Sequence, residues 1–208
     1  MTTPSAVLRL PVPRRRRFPA RPFAVAAGAL AIVLVGSFIG SNVYASLAQR
    51  GLASRWDSAE RRYEAMDPVA RSAIAYRAGD PVARIQISSI RLDAIVLEGA
   101  TPGAMRRGPA HLAGSATPGQ DGVAVITANR FGFGGYFAKL GHLGIGDQIV
   151  VQSAIGTTTY TVIEARVVTA DQLDLSTDSS QPVLVLFGNA HLWGGGDRLV
   201  VRATAGTV

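Results

Sequence analysis

The chain has no cysteine among its 208 residues. That excludes disulfides, zinc–thiolate sites and every reaction that passes through a thioester. It has few charged residues, 17% of the total, and few aromatics, 7%. It also lacks acidic residues over its first 56 positions, while Arg9, Arg14, Arg15, Arg16, Arg17 and Arg21 all precede residue 22. From residue 48 onward 15 basic side chains face 14 acidic ones, a net of +1, so six of the chain's formal +7 sit in a short N-terminal tail. A nucleic-acid-binding domain carries its basic excess on the folded part, so the sequence speaks against nucleic acid as a partner. What the chain has in quantity is apolar residues, 48%, and 23 glycines, the composition of a folded protein rather than a disordered or fibrous one.

The apolar residues are concentrated first in residues 23–47, FAVAAGALAIVLVGSFIGSNVYASL, which hold no charge. As a helix that stretch rises about 37 Å, enough to cross a hydrocarbon core of about 30 Å with some tilt. The arginines in front of it belong on the cytoplasmic side, which places residues 1–22 inside and residues 48–208 outside. A cleaved signal peptide ending near Ala45-Ser46-Leu47 is the competing reading. The run exceeds the 7–15 apolar residues of a signal-peptide core, which favours an uncleaved, single-pass anchor.

Past the span, Leu52, Trp56, Ala59, Tyr63 and Met66 recur at spacings of four and three, one stripe of a helix. Continuing that stripe backwards puts Gln49 and Asn42 on the seam, which argues against a coiled coil. The expectation is a stalk helix and linker over 48–81, the helix lying on its own domain and ending near Asp67-Pro68.

From residue 82 the pattern changes to short strands separated by glycine and proline. Ala83, Ile85 and Ile87 alternate with Arg84 and Gln86. Ile90–Glu98 and Val123–Thr127 read as strands, and Ile149–Gln152 with Thr158–Val168 as a hairpin around Gly156. In that hairpin Thr161, Ile163, Ala165 and Val167 share one face. Val183–Phe187 and Leu199–Ala203 complete the set, with helical turns expected only near Pro102–Met105 and Tyr136–Leu140. About eight strands in residues 82–206 predict a mainly β closed barrel or sandwich.

Several segments then carry a resemblance, in order. VARIQISSIRLDAIVLEGA (82–100) resembles two opening strands, and GPAHLAGSATPGQDG (108–122) resembles a Gly-Pro-Gly-His-x-x-Gly-Thr-x-x-Pro-Gly turn. AVITANRFGFGGYFAKL (124–140) stands where Val-Ile-Ala-Gly-His-Arg and a short helix are expected. LGIGDQIVV (143–151), VLVLFGN (183–189) and DRLVVRA (197–203) follow. Together they resemble the sortase family, in particular its class D-like and Gram-negative types. The resemblance implies an eight-stranded closed barrel at the cell envelope that handles sorting-signal peptides. The family's reaction uses a cysteine thiolate against a Thr–Gly peptide bond, with histidine as acid and base and arginine stabilising the oxyanion.

Carried over by position, the resemblance puts Asn129 at the histidine and Asn189 at the cysteine, while Arg198 is retained. An asparagine amide is not a nucleophile near neutral pH and only donates or accepts hydrogen bonds. The expectation is therefore a non-catalytic relative that binds an extended peptide through Arg198, Asn129 and Asn189, with His111 either at the groove border or in a structural hydrogen bond. The alternative is an enzyme with a new nucleophile, using Thr127 or His191.

The remaining candidates have plain readings. His142 reads as a solvated loop residue. Asp171, Asp174 and Asp178 lack the glycine and glutamate of a calcium loop. Gly194-Gly195-Gly196 opens no helix and is no phosphate cradle. No metal and no cofactor are expected.

Overall fold

The computed structural model describes residues 20–173, 179–190 and 196–206. The chain divides into two compact units, residues 1–36 and 37–208. His191, Asp174, Asp178, Gly194 and Gly195 lie outside the described residues.

Helix α1 (Ala20–Glu64) runs without a break for 45 residues. It is long and apolar enough to cross a membrane, and its apolar window is not buried in protein. Within the second unit its later turns pack on the barrel. Leu52, Trp56 and Ala59 are buried there, Leu52 and Trp56 in a cluster with Ile95, Leu97, Ala104 and Ala110. The two polar residues of the seam bond to the barrel. Gln49 Oε1 accepts from Ile95 N at 2.8 Å, and its Nε2 donates to the carbonyls of Ile95 and Arg107 at 3.0 Å each. A side-chain amide thus does for β2 what a neighbouring strand would do. Gly108 makes room for it, since a Cβ there would collide with Gln49 Nε2. Asp67-Pro68 was expected to end the stalk. Instead α1 stops at Glu64, and Asp67 caps a second short helix, α2 (Pro68–Ser72), by accepting from Val69 N at 2.8 Å.

Eight strands follow: β1 (Pro81–Ile87), β2 (Leu92–Glu98), β3 (Ala110–His111), β4 (Gly122–Thr127), β5 (Gln148–Ser153), β6 (Gly156–Val168), β7 (Pro182–Asn189) and β8 (Arg198–Ala205). They close a barrel in the order β1-β2-β3-β4-β7-β8-β6-β5, with β2–β3 and β4–β7 parallel and every other pair antiparallel. Helix α3 (Pro102–Met105) joins β2 to β3. The helical turn expected at Tyr136–Leu140 is a 3-10 turn at Leu140–His142. β3 has no periodicity to read, since it is two residues long.

Inside the barrel lie the alternating residues of β1, with Ile126, Leu184 and Val201. β4 is apolar on both faces for a reason. Ala124 and Ile126 point into the barrel, while Val123 and Val125 meet Val183 and Val185 in a second cluster with Leu112, Phe187 and Val200. The shared face of Thr161, Ile163, Ala165 and Val167 is the outer one. Tyr160 and Val162 supply the core instead, and the β6–β8 register slips between Val162 and Glu164.

Tyr160 is fully buried, and its hydroxyl accepts from Gly119 N at 2.7 Å. Burial pushes this phenol up to about 12, the Gly119 N–H opposing only part of that. The unfolded chain therefore loses this proton near pH 10, before the folded chain does, and stability falls as pH rises from about 10 to 12. In denaturation titrations at pH 9 and pH 12, Tyr160→Phe should lose about 2 kcal/mol less than the unmodified chain does.

Candidate functional site

Strand polarity gathers the candidate residues. β4 and β7 run parallel, pairing Thr127 with Phe187, so both end on the same side of the barrel. β8 begins where β7 ends, with Arg198 directly opposite Asn189. Asn129 lies two residues beyond the end of β4. Asn129, Asn189 and Arg198 accordingly line one cavity of about 330 Å³, together with Thr127, Met105 and Gly188.

Each side chain has a defined setting. Asn129 Nδ2 donates to the Met105 carbonyl at 2.9 Å, which ties the end of β4 to α3. Thr127 is buried, and its hydroxyl donates to the Phe187 carbonyl at 3.0 Å. Arg198 Nη1 donates to the Asp197 carbonyl at 3.1 Å. Asn189 is exposed at the mouth. The cavity wall thus offers amides and a guanidinium, groups that bind a peptide backbone and leave its bonds intact.

Acid–base chemistry has no base here among the described residues. His111, expected at the groove border, is buried away from it. Its Nδ1 is 2.7 Å from Glu98 Oε2, and its Nε2 is 2.9 Å from both the Ala116 carbonyl and Ser115 Oγ. Parallel pairing of β2 and β3 sets Glu98 beside His111, which makes this a structural pair holding the 111–116 turn. His142 is exposed in its 3-10 turn.

One residue was missed. Arg130 reaches over the end of β7, its Nη1 donating to the carbonyls of Asn189 and Ala190 at 2.9 and 2.7 Å and its Nε to the Phe137 carbonyl at 3.2 Å. Three backbone carbonyls on one guanidinium fix where Asn189 stands. Gly188 follows from it: a Cβ there would lie 3.0 Å from Arg130 Cγ and 3.2 Å from the Ala128 carbonyl oxygen. The arginine after Asn129 is visible in the sequence, but two of its three partners lie about 60 residues away.

The Sortase domain family matches residues 85–205 of this chain. The chain belongs to the sortase family. Among solved structures the sortase barrel is similar to the Sortase D5 transpeptidase of Clostridium perfringens, at 18% identity over 78% of this chain and 98% of that one, with a TM-score of 0.62. It is similar to sortase C1 of Streptococcus agalactiae at 21% identity, covering 76% and 87%, TM-score 0.58. For a lid mutant of sortase A from Corynebacterium diphtheriae the figures are 24%, 65% and 74%, and 0.57. At these identities the structures establish the sortase fold. No curated protein matches the chain.

Proposed function

We propose that this is a membrane-anchored sortase-family protein of the cell envelope that has given up transpeptidation and binds an extended, sorting-signal-like peptide. Residues 1–22 form its cytoplasmic tail, 23–47 its anchor, 48–81 its stalk and 82–206 the extracytoplasmic barrel. The carrying observation is that the chain has no cysteine, while Asn189 faces Arg198 across β7 and β8 in a cavity shared with Asn129. A thiol-dependent reaction has no nucleophile, yet the hydrogen-bonding wall is in place. Against a threonine nucleophile stands the Thr127 proton, which is already given to the Phe187 carbonyl.

The test is binding of a fluorescent Leu-Pro-X-Thr-Gly-type peptide to the full chain in nanodiscs. Binding should saturate, and Arg198→Ala should weaken it about tenfold or more, since hydrogen bonds from a charged donor contribute about 1.5–3 kcal/mol. Thr157→Ala, on the β5–β6 hairpin, should leave it unchanged. Absence of saturable binding, or indifference to Arg198→Ala, would remove the peptide-binding reading.

A further inference from the structure

The end of the barrel that holds Asn129, Asn189 and Arg198 also carries features that peptide binding does not use. β1 ends and β2 begins there, joined by Ser88–Arg91, and β4 ends and β5 begins there, joined by residues 128–147. The long connection is fastened to α1. Gly134 N donates to Asn42 Oδ1 at 2.9 Å, and the Tyr136 hydroxyl donates to the Ala45 carbonyl at 3.3 Å. These α1 residues lie in the last turns of the charge-free stretch, since the first charge after Arg21 is Arg50. Around them Phe38, Val43, Tyr44 and Leu47 are all exposed. The barrel is thus held against one face of a helix whose other faces there are apolar and uncovered.

The same end exposes two large apolar side chains, Phe131 at 43% and Ile145 at 81%. Beside them a cavity of about 400 Å³ is lined by Arg91 and Lys139 with Gly134, Gly135 and Tyr136. Asp93 also borders it, but its carboxylate is held by Arg84 at 2.7 and 2.8 Å and by Gln86 at 3.2 Å. Asp147, in the long connection, accepts from Gly144 N at 2.9 Å. Arg106 lies over the Phe133 ring, 5.8 Å from its centroid. Phe133 holds a φ of 45°, between glycines at 67° and 84°, a backbone state that suits glycine and is unusual for a ring-bearing residue. Apolar side chains flanked by cations, beside a long apolar helix face, match the boundary between lipid headgroups and hydrocarbon.

We propose that this end of the barrel sits on the bilayer surface, Phe131 and Ile145 entering the interface and Arg91 and Lys139 meeting anionic lipid phosphates. The seating rests on the membrane-anchor reading of α1. It makes the barrel a peripheral membrane domain in its own right, docked rather than tethered.

The absence of cysteine makes a direct test available, because a single introduced cysteine is the only site a thiol-specific spin label can reach. The full chain is reconstituted in bilayers of phosphatidylcholine with or without phosphatidylglycerol, labelled at Phe131→Cys, Ile145→Cys, Leu34→Cys or Thr157→Cys. Collision with oxygen and with a water-soluble nickel chelate reports depth. Labels at 131 and 145 should be shielded from nickel and reached by oxygen, while 157, at the opposite end, should be fully aqueous. Arg91→Glu with Lys139→Glu should release the shielding in phosphatidylglycerol bilayers, each lost cation weakening the seating about fivefold. If 34 is deep in the bilayer but 131 and 145 match 157, the seating is overturned and the anchor stands. If 34 is itself aqueous, anchor and seating fall together. Shielding that appears only after another protein is added assigns this end to a protein partner and overturns the lipid assignment. Shielding that ignores both phosphatidylglycerol and the double replacement overturns the role of Arg91 and Lys139.

Discussion

The full chain, incubated with a Leu-Pro-X-Thr-Gly peptide and an amine acceptor, should yield no cleaved or transferred product at any pH. Transfer needs a thiolate to attack the carbonyl, a proton donor for the departing amine and a cation for the oxyanion. Among the described residues the cavity supplies only the last, as Arg198, with no neighbouring group to generate the charge it would stabilise. Nucleophile and base act as a unit, and losing either costs on the order of a million-fold in comparable machinery. Asn189→Cys alone should therefore do almost nothing. Asn189→Cys with Asn129→His places a thiol opposite Arg198 and an imidazole in the same cavity, and should give slow hydrolysis detectable by mass spectrometry. Recovery will fall far short of a working sortase, because Asn129 also holds the Met105 carbonyl and Gly188 is packed under Arg130. Turnover by the unmodified chain that disappears with Thr127→Ala would mean the barrel has acquired a new nucleophile.

Trp56→Ala should cost about 3–5 kcal/mol, the range for truncating a large buried aromatic. The indole is fully buried between α1 and the barrel wall, among Leu52, Ile95, Leu97 and Ala110, with Tyr63 edge-on at 6.2 Å. Trp56→Phe should cost much less than the difference in size implies. Indole Nε1 is buried with no hydrogen-bond partner among the described residues, so removing it relieves a desolvated donor. Chemical denaturation of the three proteins in one detergent measures both effects. A Trp56→Ala loss below about 1 kcal/mol would mean that the stalk does not support the barrel.

The strands that alternate were legible because one face of each meets the barrel interior: β1 reads directly from Ala83, Ile85 and Ile87. The Gln49 and Asn42 positions, which break the heptad seam, are where α1 bonds to the barrel. Other features had no local signal. β3 is too short for a period, and the apolar residues of β6 at 163 and 167 point outward because the barrel takes Tyr160 and Val162 instead. His111 looked like a groove residue by position, but it is drawn into a buried pair by Glu98, a residue the sequence gives no reason to set beside it.

The resemblance of its ordered segments implied a sortase barrel, while by itself the sequence determined what this protein lacks for thiol chemistry, where its apolar helix lies and that its domain is built of short strands. These depend on residue identity and on periods of two to four residues, which act within a single element. The tertiary structure alone decided that Asn129, Asn189 and Arg198 share a cavity, that Arg130 holds β7 in place, and that the loop at 131–136 is fastened to α1. Those contacts join residues far apart in the chain. Their geometry is set by strand register and by the parallel pairing of β4 with β7, which no short window of sequence contains.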